Sequence, residues 1–97
     1  MPIEIQQTVT FIRWFKQLRD ERAQDRILAR VRRLSLGNPG DCESVGGGVS
    51  ELKIDYGPGY RVYFVRRGKV IIVLLAGGDK RTQHHDIATA LRLARDL

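Results

Sequence analysis

Cysteine and long apolar runs are both scarce in this sequence of 97 residues. The lone Cys42 excludes an internal disulfide, and a reducing cytoplasm is the simplest setting for such a chain. The longest apolar run, residues 70–76, is far shorter than the roughly 20 residues that cross a bilayer. The N-terminus has no basic start followed by an apolar stretch, so no signal peptide is expected. We therefore expect one cytoplasmic domain that spans residues 1–97.

Acidic residues are too few to balance the basic ones. The formal net charge is +6 and the isoelectric point is near 10.1. Residues 56–81 hold six basic side chains against Asp79 alone, a local charge of +5. Such an excess indicates a polyanionic partner such as nucleic acid or the ribosome, although solubility alone is the alternative explanation. The basic residues of this segment are Arg61, Arg66, Arg67, Lys69, Lys80 and Arg81.

The first half of the chain shows helical spacing. A stripe from Val9 to Leu18 predicts one helix, after a short strand around Ile3 and Ile5. Asp20 is a suitable N-cap for a second helix, which Gly37 and Pro39 would end. Its predicted core residues are Ala23, Ile27, Val31 and Leu34, and a separate stripe carries Arg22, Arg26, Arg30 and Arg33.

The second half shows strand patterns. Residues 50–56, 60–66 and 69–76 predict three strands, joined by the turns Gly57-Pro58-Gly59 and Arg67-Gly68. Gly46-Gly47-Gly48 lacks the Lys-Ser/Thr ending of a phosphate loop, so we interpret it as a turn or a mobile segment. Gly77-Gly78 is expected to break the last strand, and a final helix is expected from about Thr82. This order predicts an α+β fold, an antiparallel sheet with the two N-terminal helices packed on one face.

The hairpin of residues 50–66 is predicted to have two different faces. If Tyr56 pairs with Tyr60, Ile54 lies opposite Val62 and Leu52 opposite Phe64 beneath the helices. The same register places Lys53 opposite Tyr63 and Asp55 opposite Arg61 on the other face. That face is either a functional surface or an ordinary solvated face with an Asp55–Arg61 ion pair.

Two motifs suggest a family. The segments "GPGYRVYF" and "GGDKRTQHHDI", with the predicted β-α-α-β-β-β-α order, resemble the RelE/ParE superfamily of type II toxin–antitoxin modules. The similarity covers essentially the whole chain and is greatest to addiction-module killer proteins of the HigB/RelE-like branch. It implies a cognate antitoxin, usually a helix-turn-helix DNA-binding protein.

The resemblance also implies an activity and a site. RelE-like toxins cut mRNA at the ribosomal A site without a metal or cofactor, through attack of a ribose 2′-OH on the adjacent phosphate. It implies that Arg61 holds the phosphate and that Lys80, with Arg81 as the competing match, stabilises its extra charge. Lys53 is a third candidate cation, chosen by geometry, and Tyr63 is a candidate for stacking a base or donating a proton.

The sequence departs from the family pattern near its C-terminus. RelE-type nucleases commonly place a catalytic Tyr or His there, and no Phe, Trp or Tyr follows Phe64. His84 and His85 are the late candidates for proton transfer, although adjacent positions on a helix cannot both face the same way. They also lack the i, i+4 spacing of a helical metal pair, so no metal site is expected. A ParE-like inhibitor of DNA gyrase and a non-catalytic RNA- or ribosome-binding module therefore remain alternatives.

Overall fold

A five-stranded sheet and three helices make up the described part of the chain, residues 3–97 of a computed structural model. The protein therefore has a mixed α+β fold. No helix within residues 3–97 is long and apolar enough to cross a membrane. In chain order the elements are β1 (Glu4–Gln7), α1 (Val9–Gln17), α2 (Glu21–Ser35), β2 (Cys42–Gly46), β3 (Val49–Ile54), β4 (Tyr60–Arg67), β5 (Ile71–Asp79), the 3₁₀ turn Lys80–Thr82 and α3 (Gln83–Arg95).

The strands lie in the order β1-β5-β4-β3-β2. Strands β2 to β5 form an antiparallel meander, whereas β1 runs parallel to β5 and pairs Glu4 with Ile71. The predicted sheet was wholly antiparallel, so the parallel edge differs from it. Thr8 fixes the junction after β1: its hydroxyl donates to the Leu75 carbonyl at 2.6 Å and accepts from the Phe11 amide at 3.0 Å.

Helices α1 and α2 share one core with one face of the sheet. Asp20 caps α2 as predicted, because its Oδ1 accepts hydrogen bonds from the amides of Arg22 and Ala23 at 3.0 and 3.2 Å. The four apolar residues predicted to lie inside α2 are buried, which confirms the helical stripe. The core on this side consists of Phe11, Ile27, Val31, Leu34, Leu52, Ile54, Val62, Phe64, Ile72 and Leu74.

Helix α3 packs against the opposite face of the sheet. Its small residues Ala90 and Ala94 are buried there and allow the helix to approach the strands closely. The face that was expected to be an open cationic surface is therefore a second core over much of its area. The strand residues of this second core are Val49, Tyr63, Val65, Val73, Leu75 and Ala76.

The predicted hairpin register was wrong by two positions. Ile54 pairs with Tyr60 and Lys53 pairs with Arg61, so five residues, 55–59, form the loop. The loop closes through the Gly59 amide, which donates to the Tyr56 carbonyl at 3.1 Å. A shift of two positions keeps every side chain on its face, so the predicted core residues stay buried while their partners change.

Tyr56 explains why the loop is long. Instead of pairing with Tyr60, its hydroxyl donates a hydrogen bond to Asp20 at 2.9 Å, and the Arg26 guanidinium lies 4.7 Å from its ring centroid. The left-handed conformations of Gly57 and Gly59 let the chain return into β4. A contact between the hairpin and α2 therefore determines where the strands begin to pair.

Two glycine segments behave differently from each other. Gly46-Gly47-Gly48, predicted as a turn or a mobile segment, forms the last residue of β2 and the turn into β3, with positive φ at all three residues. Gly77-Gly78 was expected to end a strand, but β5 continues through both residues to Asp79. A Cβ at residue 78 would lie 1.8 Å from Oδ2 of Asp86, so glycine at this position lets α3 dock on the strand.

Candidate functional site

A cleft of about 240 Å³ lies beside the loop that joins β3 to β4. The Gly57-Pro58-Gly59 turn and Ile54 form part of its wall. It brings together three of the cations singled out from the sequence, and it also holds two carboxylates. The charged residues that line it are Asp41, Lys53, Asp55, Arg61 and Lys80.

Arg61 is buried, with 7% of its surface exposed. Its Nη1 donates to the carbonyls of Gly59 and Tyr60, both at 3.1 Å, and its Nε lies 3.6 Å from Oε1 of Glu51. The expected exposed Asp55–Arg61 pair is therefore wrong, because the true register places Lys53 opposite Arg61. The guanidinium is therefore hydrogen-bonded through Nη1, whereas the buried Nε has no hydrogen-bond partner within residues 3–97 and only faces the charge of Glu51.

Glu51 is the partner that sequence reasoning missed. It is 2% exposed, and its Oε2 accepts a hydrogen bond from Nε2 of Gln83 at 2.8 Å. Strand alternation did place Glu51 on the same face as Lys53, which was the available signal. The predicted register, however, paired Arg61 with Asp55 and so did not indicate a contact with Glu51.

Lys53 and Lys80 contribute charge to the cleft in different ways. Lys53 Nζ lies 2.6 Å from Glu43 Oε2, and this hydrogen bond raises the pKa of the lysine. Lys80 is exposed, and its stem lies across the turn, where a Cβ on Gly59 would be 3.0 Å from it. No acidic side chain of residues 3–97 forms a salt bridge with Lys80, so its ammonium is available to an anionic ligand.

Tyr63 does not have the exposed position that was expected. It is fully buried in the core beneath α3, so its ring cannot stack on a base. Its hydroxyl has no hydrogen-bond partner among residues 3–97. Burial, reinforced by the negative charge of Glu51, raises the pKa of Tyr63 far above its usual value, so the phenol stays neutral.

The remaining candidates lie outside the cleft lining. Arg81 pairs with Asp79 at 3.1 Å and points into solvent, and this contact lowers the pKa of Asp79. His84 and His85 are exposed in the first turn of α3. Within residues 3–97, no three His, Cys, Asp or Glu side chains are grouped closely enough to hold a metal ion. The structure thus brings together Lys53, Arg61 and Lys80, without the tyrosine or the histidines.

The fold and the cleft define a small α+β domain that presents cations beside one hairpin of its sheet. Residues 13–95 match the family model described as "Phage derived protein Gp49-like (DUF891)". The chain belongs to this family, a known family of addiction-module toxins of the RelE/HigB type. It is also 48% identical to an uncharacterized protein of Haemophilus influenzae, over all of this chain and 98% of that protein.

Proposed function

We propose that this protein is the toxin of a type II toxin–antitoxin module that cleaves mRNA on the ribosome and is neutralised by a cognate antitoxin. Membership of the Gp49-like family supports the toxin class. The observation that supports an RNA substrate is the cleft, in which Lys53, Arg61 and Lys80 converge. A phosphodiester that gains negative charge during cleavage needs such an arrangement of fixed cations.

The three cations suit different parts of the reaction. Arg61 is permanently charged and held in place, so it is suited to binding the scissile phosphate through directed hydrogen bonds. Lys80 is exposed and forms no salt bridge within residues 3–97, so its ammonium can approach the charge that develops when the 2′-oxygen attacks. Lys53 stays protonated because Glu43 raises its pKa, so we assign it electrostatic stabilisation rather than proton abstraction.

Proton transfer requires a group other than those expected from the sequence. Tyr63 is buried, and His84 and His85 do not line the cleft. Asp41 and Asp55 are the carboxylates at the cleft wall, and we propose that one of them accepts the proton of the 2′-OH. The new bond from the 2′-oxygen to phosphorus forms as the bond to the 5′-oxygen breaks, and water protonates the departing 5′-oxygen. Replacing each aspartate in turn with asparagine and comparing cleavage rates against pH identifies which one acts.

Reconstituted translation tests the proposal directly. Purified protein is added to ribosomes stalled on a defined mRNA, and new 5′ ends are mapped by primer extension. We expect cleavage in the A-site codon by the wild type, and at least about a tenfold lower rate for Lys80→Ala. Lys69→Ala is the matched control, because Lys69 is an exposed cation in the turn before β5. Intact mRNA on ribosomes that have bound the wild-type protein would rule out the proposed activity.

A second function, inhibition of DNA gyrase, is favoured by one observation. The tyrosine and the histidines expected to transfer protons do not line the cleft, and an inhibitor that acts by binding needs no such groups. Pulse-labelling of cells after induction separates the two functions. Early loss of protein synthesis supports mRNA cleavage, whereas DNA breaks and SOS induction support gyrase inhibition. Ribosome binding without either effect supports a non-catalytic RNA-binding module.

The proposed antitoxin partner can be tested independently of the activity. We expect a neighbouring gene to encode a small helix-turn-helix protein that copurifies with this chain when both are expressed. Coexpression of that protein should restore growth to cells that produce the toxin. Growth arrest that persists despite a stable complex would contradict neutralisation.

A further inference from the structure

A single buried carboxylate joins the two elements that carry the main cations of the cleft. We infer that Glu51 is a positioning residue, which orients Arg61 through the charge of a buried ion pair and fixes the segment bearing Lys80 through a hydrogen bond from Gln83. This inference rests on the proposed function, since it assigns Glu51 a role in the same site. Neither the family match nor the predicted hairpin register indicates its contacts with Arg61 and Gln83.

The contacts of Glu51 divide between its two oxygens. Oε1 lies 3.6 Å from Nε of Arg61 on β4, and Oε2 accepts the 2.8 Å hydrogen bond from Gln83 in the first turn of α3. Gln83 follows Lys80 by three residues. Glu51 therefore bridges the strand that carries one cation and the helix start that follows the other.

The contacts of Arg61 leave one part of its guanidinium for a ligand. Nε faces Glu51, and Nη1 is used by the carbonyls of Gly59 and Tyr60. Nη2 takes part in none of these contacts, and Arg61 lines the cleft. Nε makes no hydrogen bond within residues 3–97, so its contact with Glu51 is an ion pair. Because the guanidinium is planar and rigid, anchoring Nη1 at two carbonyls and attracting the Nε side towards Glu51 also limits the direction of the Nη2 donors.

The Lys80 segment is tied at both of its ends. Before it, Oδ1 of Asp79 accepts a hydrogen bond from the Arg81 amide at 2.8 Å, which caps the 3₁₀ turn. After it, Gln83 is held by Glu51. Loss of the Glu51 contact would leave this turn tied at its Asp79 end while the start of α3 loses its polar anchor to β3.

Stability alone does not account for an ion pair at this position. Glu51 and Arg61 are buried next to a face formed by apolar side chains such as Val49 and Leu75. Desolvation of two charges is costly, and apolar replacements for buried ion pairs are often neutral or stabilising. A carboxylate beside the guanidinium can hold the donors of Arg61 in a fixed direction, and an apolar residue at the same position cannot.

The test uses the variants Glu51→Gln and Gln83→Ala. The matched controls are Glu21→Gln and Gln17→Ala, which make the same substitutions at exposed positions. On saturating stalled ribosomes, we expect Glu51→Gln to lower the rate constant of mRNA cleavage about 10- to 100-fold. Gln83→Ala keeps the buried charges and should lower the cleavage rate constant about three- to tenfold. This variant remains informative if Glu51→Gln folds poorly. The Kd for ribosomes should change less than about threefold for both, because the surface cations are retained.

A spectroscopic measurement separates failure of this inference from failure of the proposed function. The Nε–H resonance of Arg61 is assigned by its absence in Arg61→Lys, and its hydrogen exchange is measured without any substrate. We expect faster exchange and a shifted resonance in Glu51→Gln, and no change in the controls. An unchanged Arg61 resonance, or wild-type cleavage by both folded variants, overturns the inference. If the wild-type protein cuts no mRNA while Glu51→Gln shows the expected change in the Arg61 resonance, only the proposed function is overturned.

Discussion

Trp14 of α1 packs directly against the backbone of Gly77 in β5. A Cβ at residue 77 would lie 2.1 Å from Cε3 of the indole, which is far inside the contact distance of two carbon atoms. Glycine is therefore needed here for space, and not because the strand bends or ends. The indole also lies edge-on to Tyr60, with ring centroids 6.3 Å apart, so this contact connects α1 to two strands of the sheet.

Gly77→Ala should destabilise the protein by about 3 kcal/mol or more, because the added methyl group forces Trp14 out of its position. Urea unfolding followed by circular dichroism measures the loss. The double variant Gly77→Ala/Trp14→Leu should regain part of the stability, since the smaller side chain leaves room for the methyl group. A single variant as stable as the wild type would mean that α1 does not pack against β5 as described.

Arg61→Ala and Lys80→Ala should differ in their effect on stability, although both remove a cation from the cleft. Removal of Arg61 leaves the buried Glu51 carboxylate unpaired and should cost about 3–5 kcal/mol. Lys80 is exposed and forms no salt bridge within residues 3–97, so its removal should change the unfolding free energy by less than about 0.5 kcal/mol. Equal stabilities in thermal and urea unfolding would contradict the burial of Arg61.

Val62→Asp should unfold the protein. Val62 is fully buried between β4 and the helices, and a carboxylate there would have no partner. The expected loss exceeds about 4 kcal/mol, a large fraction of the stability of a domain of this size. Val70→Asp is the matched control, because Val70 is 41% exposed in the turn before β5. A cooperative unfolding transition in Val62→Asp similar to that of the control would disprove the assignment of the core.

Acid should weaken the start of α2 through Asp20. The hydrogen bond from Tyr56, together with those from the Ala23 and Arg22 amides, lowers the pKa of Asp20 below its ordinary value of 3.8. The native state therefore favours the carboxylate, and this contribution is present above pH 3.8 and lost as the pH falls through the lowered native pKa. Asp20→Asn keeps a capping side chain without a titrating group. Between pH 7 and pH 2.5 the wild type should lose more stability than Asp20→Asn, and equal losses would contradict the prediction.

The sequence predicted the parts of the fold that depend on neighbours along the chain. The apolar spacing of α2 and the cap at Asp20 follow from local rules, and both are confirmed. The assignment of Leu52 and Val62 to one face was also correct, since strand alternation does not depend on the register. Arg61 and Lys80 were named from family resemblance and Lys53 from the geometry of the hairpin face, and all three line one cleft.

The features that were missed depend on contacts between distant residues. The register follows from a five-residue loop that lets Tyr56 reach Asp20, 36 positions away. The burial of Tyr63 follows from α3, whose docking requires Gly78 to accept Asp86 at close range. Glu51 meets Gln83 across 32 positions. No periodicity in the sequence encodes these contacts, because each depends on how separate elements meet in space.

The parallel pairing of β1 with β5 affects how the protein folds during its synthesis. Strand β1 cannot pair until β5 is available, and the contact from Thr8 to Leu75 after β1 spans 67 positions. Pairing between such distant strands is slow and comes late, because the chain as far as β5 must first emerge from the exit tunnel. A nascent chain therefore cannot complete its sheet until β5 has left the exit tunnel.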